Sequence, residues 1–136
     1  FGDGKKRGIH INYLIEETPL GTIGSLKLAK NIASDYFLVQ NGDLLTNIDY
    51  EEFFDHTLRS HSDIAVATIP YLVDIPYAVM EFDVKNLVTG LREKPRLTYQ
   101  SNAGIYLIHK KLLKYIPKNE IWMGIPAKFK SKIHIN

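Results

Sequence analysis

Residues 36–43 have the sequence YFLVQNGD, a continuous apolar run that ends in Asn41-Gly42-Asp43. A run without alternation is typical of a strand buried on both faces, as in a parallel α/β sheet. Ligands of such sheets bind outside the carboxyl ends of the strands, where this triplet falls. Gly42 lets backbone approach a ligand closely, and Asp43 offers the hard oxygen that Mg²⁺ on nucleotide phosphates prefers. The alternative is that Asp43 only caps the following turn.

The segments on either side of this stretch alternate between strand and helix patterns. Residues 8–15 and 63–70 predict strands, because β-branched and apolar residues dominate them. Residues 22–33, with Thr22 as a candidate N-cap, and residues 49–60, beginning at Asp49, have helical spacing of apolar residues. The order strand, helix, strand, helix, strand predicts right-handed crossovers and a mostly parallel sheet.

The second half of the sequence has a different pattern. Residues 77–83 and 86–93 predict two strands joined by a tight turn, and residues 103–108 predict another strand. A short basic helix over 109–116 ends at Pro117. We therefore expect residues 1–118 to belong to one domain, and residues 119–136, which have no clean period, to form a poorly specified C-terminal segment.

Composition excludes several classes of protein. Cysteine is absent, so disulfides and thiolate metal sites are excluded. No signal peptide or membrane-spanning stretch is visible, which predicts a soluble cytoplasmic protein. Seven lysines against one acidic residue make residues 109–136 basic, but these lysines are spaced and lack interleaved aromatic and arginine residues. We expect neither nucleic-acid nor membrane binding.

Three further segments are candidates for a ligand site. Residues 16–24, EETPLGTIG, follow a predicted strand and open a helix, where small residues can admit a nucleotide. Lys94, before Pro95, could meet a phosphate as a point charge. Asn102 can donate to and accept from a sugar hydroxyl. Each segment alone is equally compatible with an ordinary loop, a solvated lysine or an Asn-containing turn.

In this order and spacing, the segments resemble the sugar nucleotidyltransferase family, which joins a sugar 1-phosphate to a nucleoside triphosphate and releases pyrophosphate. The likeness covers roughly residues 1–116 and is greatest to the mannose-1-phosphate and aminosugar-1-phosphate guanylyltransferases. It implies a Rossmann-like (GT-A type), mostly parallel sheet with helices on both faces. The matching segments are residues 16–24, Asn41-Gly42-Asp43, Pro76-Tyr77-Ala78-Val79, Glu93-Lys94-Pro95 and residues 102–106 (NAGIY).

The resemblance implies a role for each matching position. Asp43 would hold Mg²⁺ and, with Lys94 on the sugar phosphate, would be catalytic. The nucleotide would contact Glu16, Gly21, Thr22 and Gly42. The sugar would contact Tyr77, Ala78, Glu93, Asn102 and Gly104. The expected partners are a nucleoside triphosphate and a sugar 1-phosphate, with self-association left open. GTP is favoured, because a carboxylate at Glu16 can accept from both guanine donors at once, with Glu17 beside it as an alternative.

Three departures from the family pattern bear on activity. The family's Gly-rich phosphate loop has no match before Phe1, no Asp follows Asp83, and Ala78 stands where the family usually has Gly. We therefore expect a catalytic domain truncated at both ends and a chain that is inactive alone, since phosphoryl transfer depends on such contacts. The alternative is a non-catalytic fragment that only binds ligand or self-associates. The sequence is less consistent with a metal-dependent glycosyltransferase, because the Asp-x-Asp motif usual in those enzymes is absent at residues 41–43.

Overall fold

The computed structural model describes residues 1–21, 23–29, 33–116 and 133–135. One α-helix and six strands are assigned within these ranges, together with three short 3₁₀ helices. The strands are β1 Tyr36–Gln40, β2 Ile64–Asp74, β3 Val79–Phe82, β4 Val88–Arg92, β5 Arg96–His109 and β6 Ile133–Ile135, and the helix is α1 Tyr50–Arg59. The 3₁₀ helices are Lys5–Arg7, Gly24–Leu28 and Lys110–Tyr115.

The main sheet has the strand order β1-β5-β2-β6, and β3 pairs with β4 in a separate hairpin. Strand β5 is antiparallel to both β1 and β2, while β6 is parallel to β2. The predicted Rossmann-like (GT-A type), mostly parallel sheet is therefore wrong for this chain. The strand–helix–strand pattern of 36–70 does orient β1 and β2 the same way, but β5 returns between them and makes both contacts antiparallel.

The prediction of helices on both faces of the sheet is also wrong. Among the described residues, α1 covers one face, through Phe53 packed on Ala65, Ala67, Ile105 and Leu107. The opposite face is covered by short 3₁₀ segments, whose Ile23, Leu112 and Ile116 pack on Ile64, Val66, Tyr106 and Ile108. Of the helix expected over 22–33, the described residues show the 3₁₀ helix Gly24–Leu28, whose N-cap position is Ile23 and has no side-chain cap. The candidate N-cap Thr22 and residues 30–32 lie outside the described residues.

Individual elements agree with the sequence where local signals are strong. Strand β1 has the bounds expected from YFLVQ, and α1 begins after Asp49, whose Oδ1 accepts from the backbone N–H groups of Glu51 and Glu52. The turn between β3 and β4 is closed by Asp83, as expected. Residues 8–15, by contrast, form no strand, since alternation alone supplies no partner for the backbone.

Strand β5 is longer than the predicted 103–108 and extends back to Arg96. With the outer half of β2 it forms a two-stranded ribbon that leaves the main sheet between Thr68↔Asn102 and Asp74↔Arg96. Asp74 and Arg96 close the far end of this ribbon with two hydrogen bonds of 2.6 and 3.3 Å. The Arg96 guanidinium, through this bonding, lowers the pKa of Asp74 from its ordinary value. Candidate site residues therefore lie at both ends of the ribbon: Tyr77, Ala78, Glu93 and Lys94 beyond the Asp74–Arg96 pair, and Asn102 and Gly104 beside the main sheet.

Candidate functional site

Strand β5 contains an irregularity beside the end of β1. Val66 pairs with Tyr106 and Thr68 with Asn102, so one residue of β2 lies opposite three residues of β5. Gly104 lies in this bulge with φ of +74°, a left-handed conformation that glycine adopts without steric cost. Bulges of this kind re-aim side chains and are frequent beside active sites. The bulge sets the geometry of the carboxyl end of β1.

The turn after β1 is attached to this bulge. The backbone N–H of Asn41 donates to the Gly104 carbonyl over 3.0 Å. A Cβ at Gly104 would lie 2.6 Å from Asn41 Nδ2 and 3.4 Å from Leu44 Cδ1. Leu44 in turn packs on the core beneath α1. Asp43 therefore lies between two residues that both contact the bulge.

Asp43 itself is exposed. Within the described part of the chain its carboxylate has no hydrogen-bond or ion-pair partner. The alternative that Asp43 caps its own turn thus has no hydrogen bond to support it. A solvent-facing carboxylate is a suitable donor for Mg²⁺, which retains several waters and takes its remaining ligands from substrate phosphates. The described residues contain no group of three His, Cys, Asp or Glu side chains placed to hold a metal by themselves.

Asn102 lies at the start of the bulge, and both ends of its amide are engaged. Its Oδ1 accepts from the Gly104 backbone N–H over 2.8 Å. Its Nδ2 donates to the hydroxyl of the buried Tyr106 over 2.6 Å. Tyr106 belongs to the segment 102–106 that matches the family. Its contact with Asn102 depends on the bulge, which no local sequence pattern indicates.

The other predicted sugar residues lie beyond the ribbon. Ile75 N–H donates to the Pro95 carbonyl over 3.1 Å and brings residues 75–78 beside residues 93–95. Tyr77 is 75% exposed, and Ala78, Glu93 and Lys94 are also exposed. Along β5, Asn102 lies six residues from Arg96, a distance of about 20 Å at ordinary strand rise. The structure thus places the predicted site residues in two groups.

Lys94 has a backbone conformation that is unusual for a residue with a side chain. Its φ is +42°, in the left-handed region, and it directly precedes Pro95, which disfavours helical conformations. Such conformations cost roughly 1–3 kcal/mol and are concentrated at functional sites. This observation favours a functional Lys94 over a merely solvated one.

The predicted nucleotide residues of the first loop are placed separately. Glu16 is half-buried, and its Oε2 accepts from the Leu20 backbone N–H over 3.3 Å. Gly21 has φ of +82°, so a side chain there would be strained. Thr22 lies outside the described residues, and Gly42 is exposed in the turn with open space around its Cα. Glu16 thus keeps one carboxylate oxygen without a partner from the described residues.

Comparison with known proteins places this arrangement in a family. The model of the nucleotidyl transferase family matches residues 1–124, and the chain belongs to that family. A mannose-1-phosphate guanylyltransferase of Mycobacterium tuberculosis is 30% identical over 87% of this chain and 34% of its own length. A mannose-1-phosphate guanyltransferase of Saccharomyces cerevisiae is 32% identical over 82% of this chain and 33% of its own. The chain therefore spans about a third of the length of these relatives.

Solved structures give a consistent result. HddC from Yersinia pseudotuberculosis, in complex with GMP-PN, is 26% identical, with a TM-score of 0.60 over 93% of this chain and 58% of that one. The resemblance to sugar nucleotidyltransferases seen in the sequence is confirmed at the level of the family. No helix in the described ranges is both long and apolar enough to cross a membrane.

Proposed function

We propose that this chain carries the metal-binding and sugar-binding part of a sugar-1-phosphate guanylyltransferase. The observation that carries the proposal is Asp43, an exposed carboxylate with no partner among the described residues, on a turn attached to the β5 bulge. The chain's relatives are named mannose-1-phosphate guanylyltransferases. Mg²⁺, when bound, would neutralise phosphate charge. A cytoplasmic location stays a prediction.

Each residue contributes a distinct interaction in this proposal. Asp43 holds the metal together with the phosphates of the nucleoside triphosphate. Lys94 would place a positive charge on the sugar phosphate. Since Lys94 lies beyond the ribbon and Asp43 lies beside the β5 bulge, this role requires the two groups of residues to come together around the substrates. Positioning and charge stabilisation of this kind account for most of the acceleration in phosphoryl transfer. As the family resemblance implies, Gly21, Thr22 and Gly42 would contact the nucleotide, and Tyr77, Ala78, Glu93, Asn102 and Gly104 would contact the sugar.

The preference for guanine rests on Glu16. Guanine presents two adjacent donors, N1–H and the 2-amino group, whereas uracil and thymine present one N–H between two carbonyls. The Glu16 oxygen that does not accept from Leu20 can meet a guanine donor, and the other oxygen can accept a second hydrogen bond. A half-buried carboxylate facing carbonyls would cost about 1–3 kcal/mol, roughly a 5- to 150-fold preference.

Competition among GTP, UTP and dTTP in the presence of Mg²⁺ tests this preference. The wild-type chain should favour GTP, and Glu16→Gln should reduce the preference. Glu17→Gln is the matched control, because Glu17 is the neighbouring exposed carboxylate. A wild-type preference for UTP or dTTP, or unchanged selectivity in Glu16→Gln, would remove Glu16 from the mechanism.

Turnover by the 136-residue chain is a separate question. The larger part of each relative has no counterpart in these residues, so we expect this chain alone to release little pyrophosphate from GTP and mannose 1-phosphate. Release within a hundredfold of about ten per second, a typical enzyme turnover number, would contradict that expectation.

A non-catalytic, self-associating chain is the second candidate. Ile69, Tyr71 and Tyr99 lie on one face of the ribbon and are each more than half exposed. Contiguous exposed apolar residues of this kind are typical of contact surfaces. Sedimentation velocity of the wild-type chain and of Tyr71→Glu would distinguish the candidates. A concentration-dependent dimer that Tyr71→Glu abolishes, without metal-dependent GTP binding, favours self-association.

A further inference from the structure

The hydrogen bonds of Asn102 lead away from a simple role as a sugar ligand. Its Oδ1 accepts from Gly104 N–H and its Nδ2 donates to Tyr106, so its amide joins the bulge to a buried side chain. Gly104 N–H is engaged by this side chain two residues earlier in the strand. The Asn102 amide therefore helps to fix the orientation of the Gly104 peptide groups.

The orientation of the Gly104 peptide groups matters because the Gly104 carbonyl contacts the turn that carries Asp43. The Gly104 carbonyl accepts from Asn41 N–H, and a Cβ added at Gly104 would meet the Asn41 and Leu44 side chains. Asp43 is the exposed residue between Asn41 and Leu44. A series of contacts thus runs from Tyr106 through Asn102 and Gly104 to the turn that carries Asp43.

We propose that Asn102 is a positioning residue for the Asp43 carboxylate, and acts through Gly104 and Asn41 on the binding of a metal–nucleotide complex. This inference rests on the proposed function, since it takes Asp43 as the metal ligand. Groups hydrogen-bonded directly to a metal-ligating side chain typically change metal affinity by ten- to a hundredfold when they are removed. Asn102 acts through Gly104 and Asn41 instead, so we expect an effect at the lower end of that range. A residue that only contacted sugar would leave the metal–nucleotide complex unaffected.

The expected consequences concern two independent measurements on the full 136-residue chain. Amide hydrogen exchange at Asn41, followed by NMR, should be about fivefold faster in Asn102→Ala, the factor expected for the net loss of one ordinary hydrogen bond. The dissociation constant of Mn²⁺ in the presence of GTP, measured by water-proton relaxation, should rise about tenfold.

Two further variants separate positioning from general destabilisation. Asn102→Ser retains an acceptor two residues before Gly104, as in a Ser/Thr turn, and should restore most of the protection at Asn41 and most of the Mn²⁺ affinity. Gln100→Ala removes a side chain on the same strand that accepts from Thr68 over 3.0 Å, away from Gly104. It should change neither measurement.

Different results of the two measurements would contradict different claims. Unchanged exchange at Asn41 in Asn102→Ala would overturn the positioning role, even if the wild-type chain binds Mn²⁺ and GTP as proposed. Weaker binding of mannose 1-phosphate with unchanged Mn²⁺ affinity would likewise overturn it and leave Asn102 as a sugar ligand. Absence of Mn²⁺–GTP binding in the wild-type chain would overturn the proposed function itself, whatever the exchange rates.

Discussion

Replacement of Gly104 by alanine should be among the more damaging single-methyl additions in this chain. The φ of +74° places any side chain in the left-handed region, at a cost of about 1–2 kcal/mol. The new Cβ would also lie 2.6 Å from Asn41 Nδ2, so the Asn41 side chain must move. If the Asn41–Gly104 hydrogen bond breaks as a result, about 1 kcal/mol more is lost. The sum is a destabilisation of about 2–3 kcal/mol.

The matched control is Gly42→Ala, two residues before Leu44 in the same turn. A Cβ at Gly42 meets nothing within 4 Å and its backbone conformation is not left-handed. Its free energy of unfolding should change by less than about 0.5 kcal/mol. Urea unfolding followed by circular dichroism gives both values. Equal destabilisation by the two substitutions, or a loss below 0.5 kcal/mol in Gly104→Ala, would refute the assigned role of the bulge.

Other substitutions test the parts of the fold that position the site. Asp49→Ala removes the N-cap of α1 and should cost about 1 kcal/mol in urea unfolding, while Asp49→Asn should retain most of the stability. Tyr36→Phe removes a hydroxyl that donates to the Ser62 carbonyl over 2.8 Å, and should cost about 1 kcal/mol by the same measurement. Lys110 lowers the pKa of Asp35 from its ordinary value of 3.8, chiefly by hydrogen bonding, so this pair stabilises the fold above pH 3.8 and loses its effect as the pH falls through the lowered pKa. The stability difference between wild type and Lys110→Met should therefore shrink on acidification from pH 6, and a constant difference would contradict this assignment.

The sequence predicted those elements whose signals are local. Asp49 as an N-cap and the bounds of β1 require no knowledge of the rest of the chain, and both were predicted correctly. The expected burial of β1 on both faces was wrong, because β1 is an edge strand of the described sheet and Leu38 is 46% exposed. The sheet was predicted wrongly because strand order depends on which distant segment inserts between β1 and β2. The outer half of β5, from Arg96, has mostly exposed residues and therefore lacks the apolar run that marked its buried half.

The candidate site shows the same division between local and distant information. Asp43 and Gly104 were selected from the sequence by motif, but the hydrogen bond from Asn41 to Gly104 that joins their segments arises at a bulge. No alternation of apolar residues indicates the position of this bulge. The left-handed conformation of Lys94 was not predicted either, since lysine has no preference for it. Family resemblance selected the candidate residues, and the structure shows which of them are joined by hydrogen bonds.

The most direct test of the account is calorimetric titration of the wild-type chain with GTP, with and without Mg²⁺, beside Asp43→Ala. A lone carboxylate does not strip Mg²⁺ of its waters, so metal alone should show no binding. With Mg²⁺ present, GTP should bind to the wild-type chain more tightly than without it, and Asp43→Ala should abolish that difference. Tight binding of Mg²⁺ without nucleotide, or equal dependence on Mg²⁺ in Asp43→Ala, would contradict the assignment of Asp43 as the metal ligand.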